Sequence, residues 1–242
     1  MPKPINLRDL FPQFYTLTKS SVQKGLQCKK YLHLLRYKPA ARTPPDAATL
    51  QKFSDGRSFE GLFKATFPEG VDVQQLLQKD VWSIGASYTA AALASGEPQT
   101  LFEACFIANK TLVMTDVCQV LADGSIDIYE VKNATEIKEV FIRDLAIQYY
   151  VIQQLYAERL RNFYLVLNNG QDGFVLHEMS AGLAEYLPQL QQQIPELLQV
   201  LSSGRSPVIC MGPQCRAPYP CEYIAYCSEH SAPKAKKLFS QD

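Results

Sequence analysis

Two runs of β-compatible residues separated by Asp123-Gly124 constrain this chain more than any other feature. Residues 111–132 read Thr-Leu-Val-Met-Thr-Asp-Val-Cys-Gln-Val-Leu-Ala-Asp-Gly-Ser-Ile-Asp-Ile-Tyr-Glu-Val-Lys. Asp-Gly between such runs predicts a tight hairpin, because a type I′ turn needs positive φ at both central positions. Leu112, Met114, Val117 and Val120 supply the first strand, with Asp116 among them. Side chains alternate on the second strand. Ile126, Ile128, Glu130 and Lys132 therefore share one face, and Asp127, Tyr129 and Val131 the other. Pairing of the strands can then bring Asp116 beside Glu130 and Lys132. Such a set has two readings. One is a solvated polar face on an edge hairpin, the ordinary place for charged side chains. The other is a phosphodiesterase site, with carboxylates for Mg²⁺ or Mn²⁺ and an ammonium group for the charge on hydroxide or phosphate.

The rest of the chain alternates helical and extended patterns. Residues 17–37 predict a helix capped by Thr18 or Ser20, with Cys28 inside it. A proline-rich linker, residues 39–45, separates it from a second helix over 47–67, whose apolar side is Leu50, Phe53, Phe59, Leu62, Phe63 and Phe67. Phe67-Pro-Glu-Gly-Val71 is a turn, residues 83–93 an Ala-rich helix, and Trp82 a core residue. Residues 99–108 form a strand with Leu101, Glu103, Cys105 and Ile107 on one side. The longest helical pattern covers 137–160. Strands follow at 163–167 and 174–177, then a helix over 181–201 that Pro188 and Pro195 should break or kink. This order predicts an α/β fold with a mixed central sheet flanked by helices.

Composition narrows the setting. The chain has 242 residues, 47% of them apolar and 20% charged, as in a globular protein able to bury a core. Its formal charge is zero, so a nucleic-acid partner needs a local basic patch. Lys19, Lys24, Lys29, Lys30, Arg36, Lys38 and Arg42 offer one, and a solvated helix face explains the same run. No apolar leader or membrane-length stretch is present, so a cytoplasmic protein with reduced or metal-bound cysteines is expected. His33, His177 and His230 lie in no serine- or cysteine-nucleophile motif.

Several stretches, taken in order, resemble the PD-(D/E)XK nuclease superfamily. They are Thr18-Lys-Ser-Ser-Val-Gln-Lys-Gly-Leu-Gln-Cys28, Phe67-Pro-Glu-Gly-Val71, Tyr129-Glu-Val-Lys132, Asp144-Leu-Ala-Ile-Gln-Tyr-Tyr150 and the cysteines of the tail. The branch most similar is that of the iron–sulfur RecB-type exonucleases, which includes the AddB nuclease domain and the CRISPR-associated RecB-like exonucleases. The resemblance implies a restriction-endonuclease-like domain spanning residues 1–242. Within it, 17–45 carries the first cluster cysteine, 46–203 the nuclease core, 204–230 the cysteine-rich segment and 231–242 a loose tail. It also implies that Asp116, Glu130 and the Val131 carbonyl hold Mg²⁺ or Mn²⁺, and that Lys132 is the active lysine. Thr115 stands where the motif usually has proline. Gln148 and Tyr149 match the glutamine–tyrosine element, although Ile152 occupies the strict Gln-x3-Tyr position. Gly56-Arg-Ser-Phe-Glu60 puts Glu60 where relatives carry a metal-binding histidine. Glu60 is then a ligand or a surface glutamate, and Glu103 is a further candidate.

Cys28, Cys215, Cys221 and Cys227 resemble the split ligand set of a [4Fe–4S] cluster in that branch. A Cys₄ Zn²⁺ site or unliganded thiols are the alternatives, and Cys210 competes with Cys215. The implied activity is Mg²⁺- or Mn²⁺-dependent hydrolysis of DNA, at ends or in single strands. In it a water made acidic by the ion attacks phosphorus, and Lys132 orients it and stabilises charge. The alternative is a non-catalytic nucleic-acid-binding or assembly subunit. RNA processing by the same chemistry is a third reading, without any RNA-selecting aromatic motif in its favour.

Overall fold

A computed structural model describes residues 5–230 other than Asp172. The expected tail, residues 231–242, lies outside them. The strands are β1 (Leu17–Thr18), β2 (Val71–Asp72), β3 (Gln99–Ala108), β4 (Thr111–Val120), β5 (Ile126–Lys132), β6 (Leu160–Asn168) and β7 (Phe174–Glu178). They form one seven-stranded open sheet in the order β2-β3-β4-β5-β6-β7, with β1 pairing β4. β3, β4 and β5 are antiparallel neighbours, whereas β5 and β6 run parallel. The parallel pair needs a crossover, which helix α6 (Glu139–Tyr156; α1 to α5 are introduced below) supplies. The α/β class with a mixed, helix-flanked sheet is therefore the one the patterning predicts.

The N-terminal helix of the sequence reading is two helices, α1 (Lys19–Gln27) and α2 (Lys29–Tyr37). Thr18 and Ser21 form a reciprocal capping box that starts α1. Cys28 is extended (φ −163°, ψ 116°), so it lies in the break between helices and not inside one. Helices α3 (Ala47–Lys64), α4 (Val73–Leu77) and α5 (Val81–Ala94) follow. After the sheet come α7 (Ser180–Ala184), α8 (Leu187–Ser203) and α9 (Ile224–His230). Pro188 begins α8, where its missing N–H costs nothing, and Pro195 is carried inside it.

One sheet face carries the main core, under α1, α5, α6 and α8. Gly25 of α1 meets Leu197 of α8 so closely that a Cβ would lie 2.8 Å from its side chain. The other face is covered by α3, through Phe59, Phe63 and an aromatic layer with Tyr129, Tyr164 and Phe174. Only part of the expected apolar side of α3 is used, and Leu50, Phe53 and Leu62 are exposed. Trp82 is likewise 47% exposed and not a core residue.

The turns differ in kind from expectation. At Asp123-Gly124 only Gly124 has positive φ (80°). Gly124 N–H donates to Leu121 O at 2.9 Å and Leu121 N–H to Ser125 O at 2.9 Å, which closes a three-residue loop. This is the hairpin with a left-handed third residue, not the two-residue type I′ turn. Positive φ at both central residues occurs instead at Asn109 (46°) and Lys110 (57°), between β3 and β4.

Candidate active site

The site lies in a fork of the sheet. The β4–β5 ladder pairs Val120 with Ile126 and ends at Val117 with Tyr129. Beyond that point β5 leaves, and β1 pairs with Thr111 and Leu112 at the far end of β4. Asp116 sits where the strands part. Its Oδ2 accepts the Val131 N–H at 2.6 Å, taking a ladder bond that a backbone carbonyl would otherwise supply.

On the α3 side, Asp116 meets Glu60 and Glu103, with one carboxylate oxygen of each within 4.8 Å of the others. Glu103 gets there through a break in alternation. It has φ 52°, and both it and its neighbour Phe102 approach Lys64 of α3. A regular strand would send adjacent side chains to opposite faces. Glu103 is therefore not aligned with Leu101 and Cys105 as the sequence pattern implied. Lys64 Nζ bridges Glu60 and Glu103 at 2.5 and 2.6 Å.

On the opposite side, alternation along β5 holds. Tyr129 and Val131 join the α3 layer, while Glu130 and Lys132 face α1 and α6. Glu130 is 1% exposed and every interaction on it is a donor. Lys132 Nζ and Lys19 Nζ bind its Oε1 at 2.6 and 2.8 Å, and Gln148 Nε2 binds its Oε2 at 2.7 Å. Asp144 completes the set. Its Oδ2 takes Lys132 at 2.8 Å and Lys19 at 3.5 Å, and its Oδ1 takes Gln23 at 3.0 Å.

Two carboxylates and two ammonium groups thus form a neutral quartet at the fork. Burial works against ionisation of Glu130, but Lys132 and Lys19 outweigh it and hold the carboxyl well below the usual range. Burial also works against the charge on Lys132, and Asp144, Glu130 and Asp116 more than restore it. Lys132 is accordingly a firm ammonium donor, not a base. Asp116 goes the other way. Burial and then repulsion from Glu130 push its pKa well up, with Lys19 and Lys132 only partly compensating.

The structure gathers Asp116, Glu130, Lys132 and Gln148 of the predicted site, and brings Glu60 to Asp116. Around Asp116 the carboxylates that converge are those of Glu60 and Glu103. Val131 gives its N–H to Asp116, and the Glu130 oxygens are held by ammonium and amide donors. Tyr149 is not brought to the site. One residue past Gln148 on α6, it points about 100° away around the helix and packs edge-on against Phe163, 6.0 Å between centroids. Sequence reasoning missed Lys19, Lys64 and the role of Asp144. The Asp144–Gln148 spacing of four is a one-face signal that was available. Lys19 and Lys64 carry none, because each reaches the site from a distant element.

Cys28, Cys210, Cys215, Cys221 and Cys227 line one small hollow between α2, the 204–223 segment and α9. Burial raises the Cys221 thiol to about 11, and the nearby Cys227, Cys28 and Cys215 contribute. Among the described residues, no three cysteine sulfurs lie within 4.8 Å of one another. The segment is held to the N-terminal helices independently. Glu222 accepts from Tyr31 Oη at 2.7 Å and Lys24 Nζ at 3.2 Å, and also pairs with Arg42.

No protein-family model matches this chain, and no curated protein matches it at a significant level. Among the described residues, no helix is long and apolar enough to cross a membrane.

Proposed function

We propose that the chain is a metal-dependent DNA phosphodiesterase of the PD-(D/E)XK type, acting on single strands or ends, with a restriction-endonuclease-like core. The observation that carries this reading is the fork, where a cluster of carboxylates on one side of Asp116 backs onto an ammonium pair on the other. Glu60, Glu103 and Asp116 would hold Mg²⁺ or Mn²⁺, since three carboxylates suit a hard divalent cation. Their fit rests on geometry, one oxygen of each lying within 4.8 Å of the others, with Lys64 bridging Glu60 and Glu103. Such an ion, when bound, makes a water acidic and screens the phosphoryl oxygens.

The protein's own groups do the remainder. Glu130 and Asp144 fix Lys132 and Lys19, whose side chains are about a quarter exposed, so that their ammonium groups would present N–H donors to a phosphodiester. Gln148 fixes Glu130 in turn. Asp116 ties the carboxylate cluster to β5 through Val131 N–H. For the cysteines, Cys28, Cys215, Cys221 and Cys227 would carry a [4Fe–4S] cluster. What supports this reading is that these four, with Cys210, line one hollow. The cluster would tie the two ends of the chain together without taking part in hydrolysis.

The experiment is a Mn²⁺-dependent digest of end-labelled and circular single-stranded DNA with anaerobically purified protein. Wild type should release product, while Asp116→Asn and Lys132→Ala should lose at least about a hundredfold in rate. Full activity in either variant removes the mechanism. Stoichiometric DNA binding without product would make the chain a non-catalytic binder.

A further inference from the structure

Lys19, Gln23 and Gln27 are spaced by four along α1 and so lie on one helix face. The first two touch the charged quartet, Lys19 at Glu130 and Gln23 at Asp144. The third holds the cysteine segment. Gln27 Nε2 donates to Gln214 O at 2.7 Å and to Tyr219 O at 2.8 Å. The Tyr219 carbonyl belongs to the loop closed by Cys221 N–H on Cys215 O at 2.9 Å, and Gln214 immediately precedes that loop. One face of a nine-residue helix therefore spans from the quartet to the loop between two candidate cluster cysteines.

That loop reads Arg216-Ala-Pro-Tyr-Pro220, with one basic residue, no acid and one aromatic. Tyr219 is 54% exposed, so it is reachable by a ligand. Its phenol is within electrostatic reach of the Lys132 ammonium and the Asp144 carboxylate. Nothing in the fold requires an aromatic there. The ring belongs to neither the main core nor the aromatic layer under α3.

We propose that Tyr219 is a substrate-contacting residue supplied by the cysteine segment, stacking on an unpaired base next to the phosphodiester held at Lys132 and Lys19. This inference rests on the phosphodiesterase reading and adds to it a single-stranded substrate and the residue that grips it. Aromatic faces stack on any base, so recognition would be independent of sequence. Duplex DNA keeps its bases stacked and offers no such face. The geometry also links the two centres, because a disordered cysteine segment removes Tyr219 from the mouth of the site.

The test compares Tyr219→Ala and Tyr219→Phe with wild type in two assays. The first is anisotropy of a fluorescent single-stranded oligonucleotide, in Ca²⁺. The second is Mn²⁺-dependent digestion resolved into kcat and KM. Tyr219→Ala should bind the single strand about tenfold more weakly and raise KM by a similar factor, whereas Tyr219→Phe keeps its stacking face and stays near wild type. Unchanged visible spectrum and Mn²⁺ binding in both variants exclude a collapsed segment. Wild-type affinity and KM in Tyr219→Ala, with wild type active, overturn this inference and leave the phosphodiesterase intact. An equal loss on duplex DNA also overturns it. A wild type that neither binds nor cuts overturns both.

Discussion

Lys19 and Lys132 donate to the same oxygen, Oε1 of Glu130, at 2.8 and 2.6 Å. The two are far apart in the sequence, one opening α1 and one ending β5. Two ammonium groups so close repel each other, and the arrangement holds only because Glu130 and Asp144 lie between them. The site is thus built by charge neutralisation across α1, β5 and α6.

The quartet separates the two lysines by test. Lys19→Ala leaves Glu130 still bonded to Lys132 and Gln148, so the fold should survive. We expect destabilisation of about 1–2 kcal/mol, a fraction of the 3–5 kcal/mol for a fully buried broken pair because the Lys19 side chain is 23% exposed. By thermal unfolding that is a Tm lower by about 2–8 °C. Phosphodiesterase rate should fall about tenfold to a hundredfold, less than for Lys132→Ala. Equal losses in the two variants would show that the lysines act as one unit.

Metal binding should discriminate Asp116 from Glu130. With the ion among Glu60, Glu103 and Asp116, Asp116→Asn should abolish Mn²⁺ binding measured by calorimetry. Glu130→Gln should retain it within about tenfold while losing activity, because Glu130 orients the lysines. The raised pKa of Asp116 sets the pH dependence. Protonated Asp116 competes with the ion, so affinity should rise with pH from the ordinary aspartate value of about 3.9 up through the displaced pKa. Proton release on binding, read from buffers of different ionisation enthalpy, should vanish in Asp116→Asn. Loss of Mn²⁺ binding in Glu130→Gln as complete as in Asp116→Asn would return Glu130 to the ligand set.

The attachment of the cysteine segment should be acid-sensitive. Burial disfavours the Glu222 charge, but Arg42, Tyr31 and Lys24 outweigh it and lower its pKa. A depressed carboxylate stabilises the fold fully above its unfolded pKa, about 4.3, and the contribution fades as pH falls through the lower folded value. Glu222→Gln should therefore lower stability by about 1 kcal/mol at pH 7, discounted for partial exposure. The difference from wild type should close in acid. Proteolysis within residues 204–223 is the local readout, and a Glu222→Gln protein no more sensitive than wild type would remove this anchor.

What was legible in the sequence follows the range of each interaction. The extent of the strand over 99–108 and the alternation of Glu130 and Lys132 against Tyr129 and Val131 fold as read. Turn chemistry was half legible. Gly124 adopts positive φ as expected, but the left-handed pair falls on Asn109-Lys110, where the residue types are a weaker signal. The break at Cys28 was hidden because helical spacing continues across it on both sides. Glu103 could not be placed, since its positive φ overrides strand alternation. Lys19 and Lys64 were invisible because their partners are 111 and 39 residues away.

The cysteine hollow gives the last prediction, and it turns on Cys210. Five thiols line the hollow, and a four-iron cluster needs four. Cys210 is the exposed one of the five, whereas Cys28, Cys215, Cys221 and Cys227 are half-buried. Cys215 is also fixed by backbone bonds, its N–H on Gly212 O at 3.0 Å and its O on Cys221 N–H at 2.9 Å. Anaerobically purified wild type should therefore be brown, with the absorption of thiolate-bound iron. Cys215→Ser, Cys221→Ser, Cys227→Ser and Cys28→Ser should each lose colour and iron, and Cys210→Ser should keep both. Each colourless variant should also unfold at lower temperature, because the link between the N-terminal helices and the tail is gone. A Cys210→Ser protein that loses its iron while Cys215→Ser retains it would exchange the two in the ligand set. A wild type free of iron would leave the thiols as packing groups around Tyr31 and Tyr223.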